Sequence, residues 1–146
     1  MNSHIVGVYA RLVVSEGAAA IDFYRAALGA TEVARYTNPA GKIVHAELDV
    51  AGTTIALKDE GDGDLAPATL GGTPVIIALQ VDDADAVAGA MLAAGATVIY
   101  PVADQPHGER GGRLADPFGH QWMISQQIED LTAAEVQRRV DGMAGG

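Results

Sequence analysis

Cysteine is absent from the 146 residues. That excludes a disulfide frame, a thiol nucleophile and any thiolate metal site. Basic side chains are scarce and scattered, nine Lys and Arg against nineteen Asp and Glu, for a net charge of −10. A nucleic-acid binder should carry a basic stripe, so nucleic acid and anionic membrane are not expected partners. Long apolar runs are also missing. Gly, Asp or Gln interrupts each one well short of the roughly 20 residues that a membrane span needs. The opening Met-Asn-Ser-His lacks the basic-then-apolar order of a signal peptide, and the expected location is cytoplasmic. The acidity favours cationic ligands at long range, but its simpler role is to keep the protein soluble.

What is present suits a compact fold. Half the chain, 49%, is hydrophobic, and the length is that of one domain with a sizeable core. Residues 7–14, GVYARLVV, read as a strand. A helix follows, capped by Ser15, with Ala20, Ile21, Phe23, Tyr24 and Leu28 at helical spacing. Gly29 suits its C-terminal stop. Residues 31–37 read as a strand, and GKIVHAELDVAGTTIALKDE as two more around a turn at Ala51-Gly52. DEGDGD lacks the closing Glu of a calcium loop and reads as solvated.

The pattern then returns. VIIALQVDD is a strand ending in a cap at Asp82 or Asp83, ADAVAGAMLAAG a helix, and ATVIYPV a strand. DQPHGERGGR reads as a Gly-rich loop. A final hairpin turns at Asp116-Pro117-Phe118-Gly119, with Pro second and Gly fourth. LGATEV at 28–33 matches AGATVI at 94–99, and LVVSEGAAAI matches LQVDDADAVA. This is an internal repeat of β-α-β-β-β units, about 5–60 and 74–127. Neither unit alone buries both faces of its sheet. The expected fold is α+β, two paired βαβββ modules forming a curled mixed sheet around a cavity, with helices outside. Residues 1–127 make one domain. Residues 128–146 add a helix, opened by a Thr132/Glu135 capping box, and a frayed Gly-Met-Ala-Gly-Gly tail.

The duplicated unit, with AIDFYRAALGATEV near its start and DPFGHQW near its end, resembles the vicinal-oxygen-chelate superfamily of glyoxalase I, extradiol dioxygenases and bleomycin-resistance proteins. HAELDVAGTTIALKDE and EDLTAAEV are most similar to its PhnB-like subgroup. The resemblance covers residues 5 to about 127. It implies four inward-pointing metal ligands on the first and fourth strands of the units. Carried over, these fall at Tyr9, Ala56, Ile76 and Met123. Ala and Ile offer no donor atom, and Met suits only soft ions. The resemblance therefore implies the fold without its usual metal, and no cofactor is expected.

Strand alternation extends the lining. Tyr9 brings Arg11 to its face, and Ala56 brings Thr54 and Lys58. In the strand KIVHAELDV, residues Val44, Ala46, Leu48 and Val50 should meet the helices, leaving His45 and Glu47 on the cavity side. Expected ligand-binding residues are thus Tyr9, Arg11, His45, Glu47, Ala56, Ile76 and Met123. Arg110 joins them from a loop that closes as a lid over a carboxylate or phosphate. Glu47 can simply pair with Arg11, and His45 can be an ordinary residue on a half-wet sheet.

The expected function is metal-independent binding of a small organic molecule, such as an antibiotic or a metabolite to be sequestered. The alternative is a glyoxalase-like enzyme that uses His45 and Glu47 as an acid–base pair, or a metal relocated to them with His120 or Asp59. By resemblance, the protein is expected to be a homodimer.

Overall fold

A computed structural model describes residues 4–144 of the chain. It divides into two compact units, Met1–Thr73 and Pro74–Gly146. The first contains β1 (Ala10–Val14), α1 (Gly17–Leu28), β2 (Thr31–Thr37), β3 (Ile43–Val50), β4 (Thr53–Asp59) and the single-turn α2 (Pro67–Leu70). The second contains β5 (Ile76–Gln80), α3 (Ala84–Ala93), β6 (Thr97–Asp104), β7 (Glu109–Ala115), β8 (Gln121–Gln127) and α4 (Ala133–Ala144). Each holds one four-stranded mixed sheet, in the orders β1-β4-β3-β2 and β5-β8-β7-β6. The first strand of each unit pairs in parallel with the fourth, and the other pairings are antiparallel. The duplicated α+β design is the one expected.

One helix covers one face of each sheet. In the first unit α1 lies on β2, β3 and β4, burying Ile21 and Tyr24 in the same core as Leu12, Val14, Leu48 and Leu57. In the second, α3 lies on β6, β7 and β8, and Met91 shares the core with Leu114, Trp122 and Ile124. Burial alternates along β1 and β8, as strands with one face on a helix require, whereas β4 is buried without a break from Ile55 to Asp59.

The start of α1 differs from the sequence expectation. Ser15 does not cap it. The N-cap position is Glu16, with no side-chain cap bond. The buried carboxylate of Asp59 takes that role from the end of β4, accepting from Gly17 N at 2.6 Å and Ile43 N at 2.8 Å. It can reach because Asp59 pairs with Val14, just before the helix. Gly29 ends α1 as expected, at φ 65°. Asp83 caps α3 through Ala86 N at 3.0 Å, and the Thr132/Glu135 capping box forms in both directions. Helix α4 continues to Ala144, so the expected fraying does not begin at Gly142. Gly145 and Gly146 lie outside the described residues.

Two further departures matter for the site. β1 begins at Ala10, so Tyr9 precedes the strand and is half exposed. The β2–β3 register shifts between Tyr36 and Thr37. That bulge buries Ile43 and exposes Val44, which alternation alone had assigned to the helix side.

The Asp-Pro-Phe-Gly turn is held by a second buried carboxylate. Asp116 accepts from Phe118 N at 2.9 Å, His120 N at 3.0 Å and Trp122 Nε1 at 2.9 Å. Removing it strands three donors, two of them backbone groups, in a dry site. Asp116→Ala is expected to destabilise the protein by about 3 kcal/mol, read as a lower urea midpoint with an unchanged slope.

Candidate functional site

On the uncovered face of the first sheet, Arg11, Ala56 and Glu47 stand in one cross-strand row. Ala56 carries only a methyl group, and the Arg11 side chain crosses that strand to reach β3. Its Nη2 donates to Val44 O at 2.9 Å and its Nε to His45 Nδ1 at 3.3 Å. The Val44 bulge presents this carbonyl. His45 Nε2 lies 3.2 Å from Glu47 Oε1, and the His45 ring stacks on Tyr36 at 6.5 Å between centroids.

Arg11 thus meets His45 rather than Glu47. A guanidinium can only donate, so Nδ1 must accept from it. Nε2 then carries the proton and donates to Glu47. Both ring nitrogens are committed, and no lone pair on His45 is left to act as a base while Arg11 stays in place. Thr54 and Lys58 were expected beside Ala56. Lys58, two residues after Ala56 on β4, is buried, pairing with Asp64 and donating to Gly61 O at 3.0 Å. It orders the acidic loop that the sequence suggested was merely solvated.

The uncovered face of the second sheet carries a pocket of about 430 Å³, within the usual size of small-molecule sites. Two register shifts in β6, between Val98 and Tyr100 and between Tyr100 and Ala103, bend this edge strand. Pro101 is tolerated because the strand lies at the sheet edge. Opposite, a Cβ on Gly112 would sit 2.7 Å from Tyr100 O, and one on Gly111 2.1 Å from Ile124 O. Only glycine allows so close an approach. Tyr100, Pro101, Arg113 and Met123 line the resulting hollow, with His107 and Glu109 also in its wall. The Arg113 guanidinium lies 5.3 Å from the Tyr100 ring centroid, while its Nε is buried without a hydrogen-bond partner among the described residues.

Of the residues expected here, Met123 is in the pocket wall. Ile76 is on the parallel neighbour strand, opposite Gln121, and partly exposed. Arg110 lies elsewhere. Its guanidinium grips Asp85 of α3 with Nε and Nη2, at 2.9 and 3.0 Å, and Asp104 with Nη1 at 3.0 Å. That contact puts it on the helix side, and its ion pairs leave it no fork for a ligand. The expected lid is a strand for most of its length. β7 starts at Glu109, and Gln105 N donates to Glu109 O at 2.7 Å across a tight turn. Arg113 was missed as the pocket cation. The signal available was Leu114, whose apolar side chain belongs against the helix and so turns Arg113 to the opposite face.

The donor set does not fit a divalent metal. Tyr9, Ala56, Ile76 and Met123 provide one phenol and one thioether between them. Among the described residues, no cluster of three or more His, Asp or Glu side chains is placed to hold one. The relocated site is also unsupported. Asp59 spends both carboxylate oxygens on backbone N–H groups, and His120 is buried beside its turn rather than exposed.

The duplicated unit and its ligand-sized hollow define a class that comparison identifies. The profile of the Glyoxalase/Bleomycin resistance protein/Dioxygenase superfamily matches residues 3–124. The chain belongs to this superfamily. It is 42% identical over 140 residues to uncharacterised proteins of Mycobacterium bovis and Mycobacterium tuberculosis, covering 92% of itself and 92% and 82% of theirs. Among solved structures, TioX from Micromonospora sp. ML1 is similar at 26% identity and a TM-score of 0.68, over 87% of this chain and all of that one. The fosfomycin resistance protein FosX from Listeria monocytogenes, solved with Mn(II) and sulfate, shares the fold. It is 18% identical with a TM-score of 0.66, over 94% of this chain and 99% of that one.

Two outcomes follow from these contacts. In the neutral ring, ¹⁵N spectra of His45 should show the proton on Nε2, and Arg11→Met should release Nδ1 and mix the tautomers. The hydrogen bonds from Arg110 hold the Asp85 carboxyl below its usual range. A depressed folded value gives stability that is complete above the unfolded value near about 4. It is lost as pH falls through the lower folded value. The stability gap between wild type and Arg110→Met should therefore be full at neutral pH and close in acid. It should be small throughout and shrink with salt, because the pair is exposed.

Proposed function

We propose that the protein binds a small organic molecule without a metal, in the manner of the drug- and metabolite-sequestering members of its superfamily. The observation that carries this reading is the β6–β8 pocket. It has ligand-sized volume and a mixed wall, and Met123 stands where the resemblance puts a metal-binding carboxylate. The membership of the superfamily supports it, since that group includes resistance proteins as well as enzymes. The reading also takes the protein to be a cytoplasmic homodimer of the PhnB-like type. The HAELDVAGTTIALKDE and EDLTAAEV segments support the subgroup, and exposed Ile5, Val6 and Val8 support a partner. Among the described residues no helix is long and apolar enough to cross a membrane.

The second reading is an acid–base enzyme. The 3.2 Å contact between His45 and Glu47 favours it. The bond from Arg11 to His45 Nδ1 counts against it, because a turnover step would first have to displace Arg11.

A chelator-treated, ¹⁵N-labelled sample titrated with small aromatic fragments tests the first reading. Amide shifts are expected along residues 100–125, with affinities unchanged by added Zn²⁺. Ala103→Trp, which fills the pocket from an exposed position, should suppress them. Shifts that require metal, or that cluster away from this sheet, would contradict the reading.

A further inference from the structure

We infer that the pocket of the second unit selects an aromatic monocarboxylate, held through Arg113. This deepens the reading above and rests on it. The two sheets are repeats, and the ladders show which positions correspond. Glu47 stands opposite Ala56 in the first sheet, and Arg113 opposite Met123 in the second. The same place on the repeat has changed sign. In the first unit the acid is satisfied by His45. In the second the cation is not matched in this way. Arg113 Nε is buried and meets no hydrogen-bond acceptor among the described residues.

Arg110, three positions earlier on the same strand and on the opposite face, shows what this protein does with an arginine it uses structurally: three hydrogen bonds to two carboxylates. Arg113 instead rests over Tyr100. An arginine stacked on an aromatic ring keeps its donors in the ring plane's direction of reach and is pre-organised for a planar acceptor. A carboxylate matches that fork geometrically. In a chain of net charge −10, such an arginine is an unusual local concentration of positive potential.

The surroundings narrow the ligand further. Glu109 shares the pocket wall and lies 3.5 Å from His107. A second negative charge on the ligand would face it, which disfavours a phosphate ester and favours a single charge. Pro101 and the exposed Met123 thioether offer an apolar bed, and sulfur packs well against aromatic edges. Gly111 adds no side chain to the floor. One or two fused rings bearing one carboxylate satisfy all of these features.

The test is calorimetric titration of metal-free protein with 2-naphthoate, 2-naphthamide and 2-naphthyl phosphate, on wild type, Arg113→Met and Arg113→Lys. The expected result is that wild type binds naphthoate at least tenfold more tightly than the amide and more tightly than the phosphate. Arg113→Met should bring naphthoate down to the affinity of the amide and leave the amide unchanged, and Arg113→Lys should fall between. If Arg113→Met does not fold, the acid-to-amide ratio of wild type and its reduction in Arg113→Lys decide the matter. Equal binding of acid and amide overturns the carboxylate inference and leaves the small-molecule reading standing. Preference for the phosphate overturns the choice of a monoanion. Failure of all three probes to bind overturns the inference, and the fragment-induced amide shifts along residues 100–125 then decide separately whether the small-molecule reading stands.

Discussion

Each four-stranded sheet has one helix to cover it, and a helix can bury only one face. That constraint decides the chemistry of the opposite face. Val14, Leu48 and Leu57 in one unit, and Leu114, Trp122 and Ile124 in the other, are committed to the core. Their strand neighbours are thereby turned to the side where a ligand can arrive. The register that maintains this division is anchored by two buried carboxylates. Asp59 joins the starts of α1 and β3 to the end of β4, and Asp116 shapes the turn into β8. Asp59 is satisfied by two backbone N–H groups, and Asp116 by two backbone N–H groups and the Trp122 indole, so they stabilise the frame and are unavailable to a metal.

From the same frame the two uncovered faces diverge. The first is closed on itself, with Arg11, His45, Glu47 and Tyr36 forming one connected group. The second is open. Bulges in β6 and the close approach of Gly111 and Gly112 create a hollow, and its cation rests on an aromatic ring. Duplication gave two equivalent surfaces, and the sequence filled one with internal partners.

The repeat, most element types and most helix-facing residues were legible because they rest on periodicity, which is local. Gly29, Asp83, the Thr132/Glu135 box and the Asp116 turn were legible for the same reason. Where reading failed, the controlling contact was distant in sequence or lay in backbone irregularity. The cap on α1 comes from Asp59, 42 positions away, so Ser15 was the only local candidate. Val44 and Ile43 exchange faces because of a bulge, and bulges leave little trace in a hydrophobic pattern. Gly111 and Gly112 suggested a mobile loop, yet they sit in a strand because backbone must pass close to them. That error carried Arg110 toward the pocket and gave Arg113, on the same segment, no ligand contact.

The central claim is that this fold holds its ligand without a metal ion. Its most direct test is metal content per chain in protein purified without a polyhistidine tag, together with the melting temperature in the presence of stoichiometric Zn²⁺, Ni²⁺, Mn²⁺ and Fe²⁺. A ligand that binds only the folded state must raise that temperature. The account predicts no bound metal and no shift. One tightly held ion per chain, with a melting temperature raised by that same ion, would contradict it.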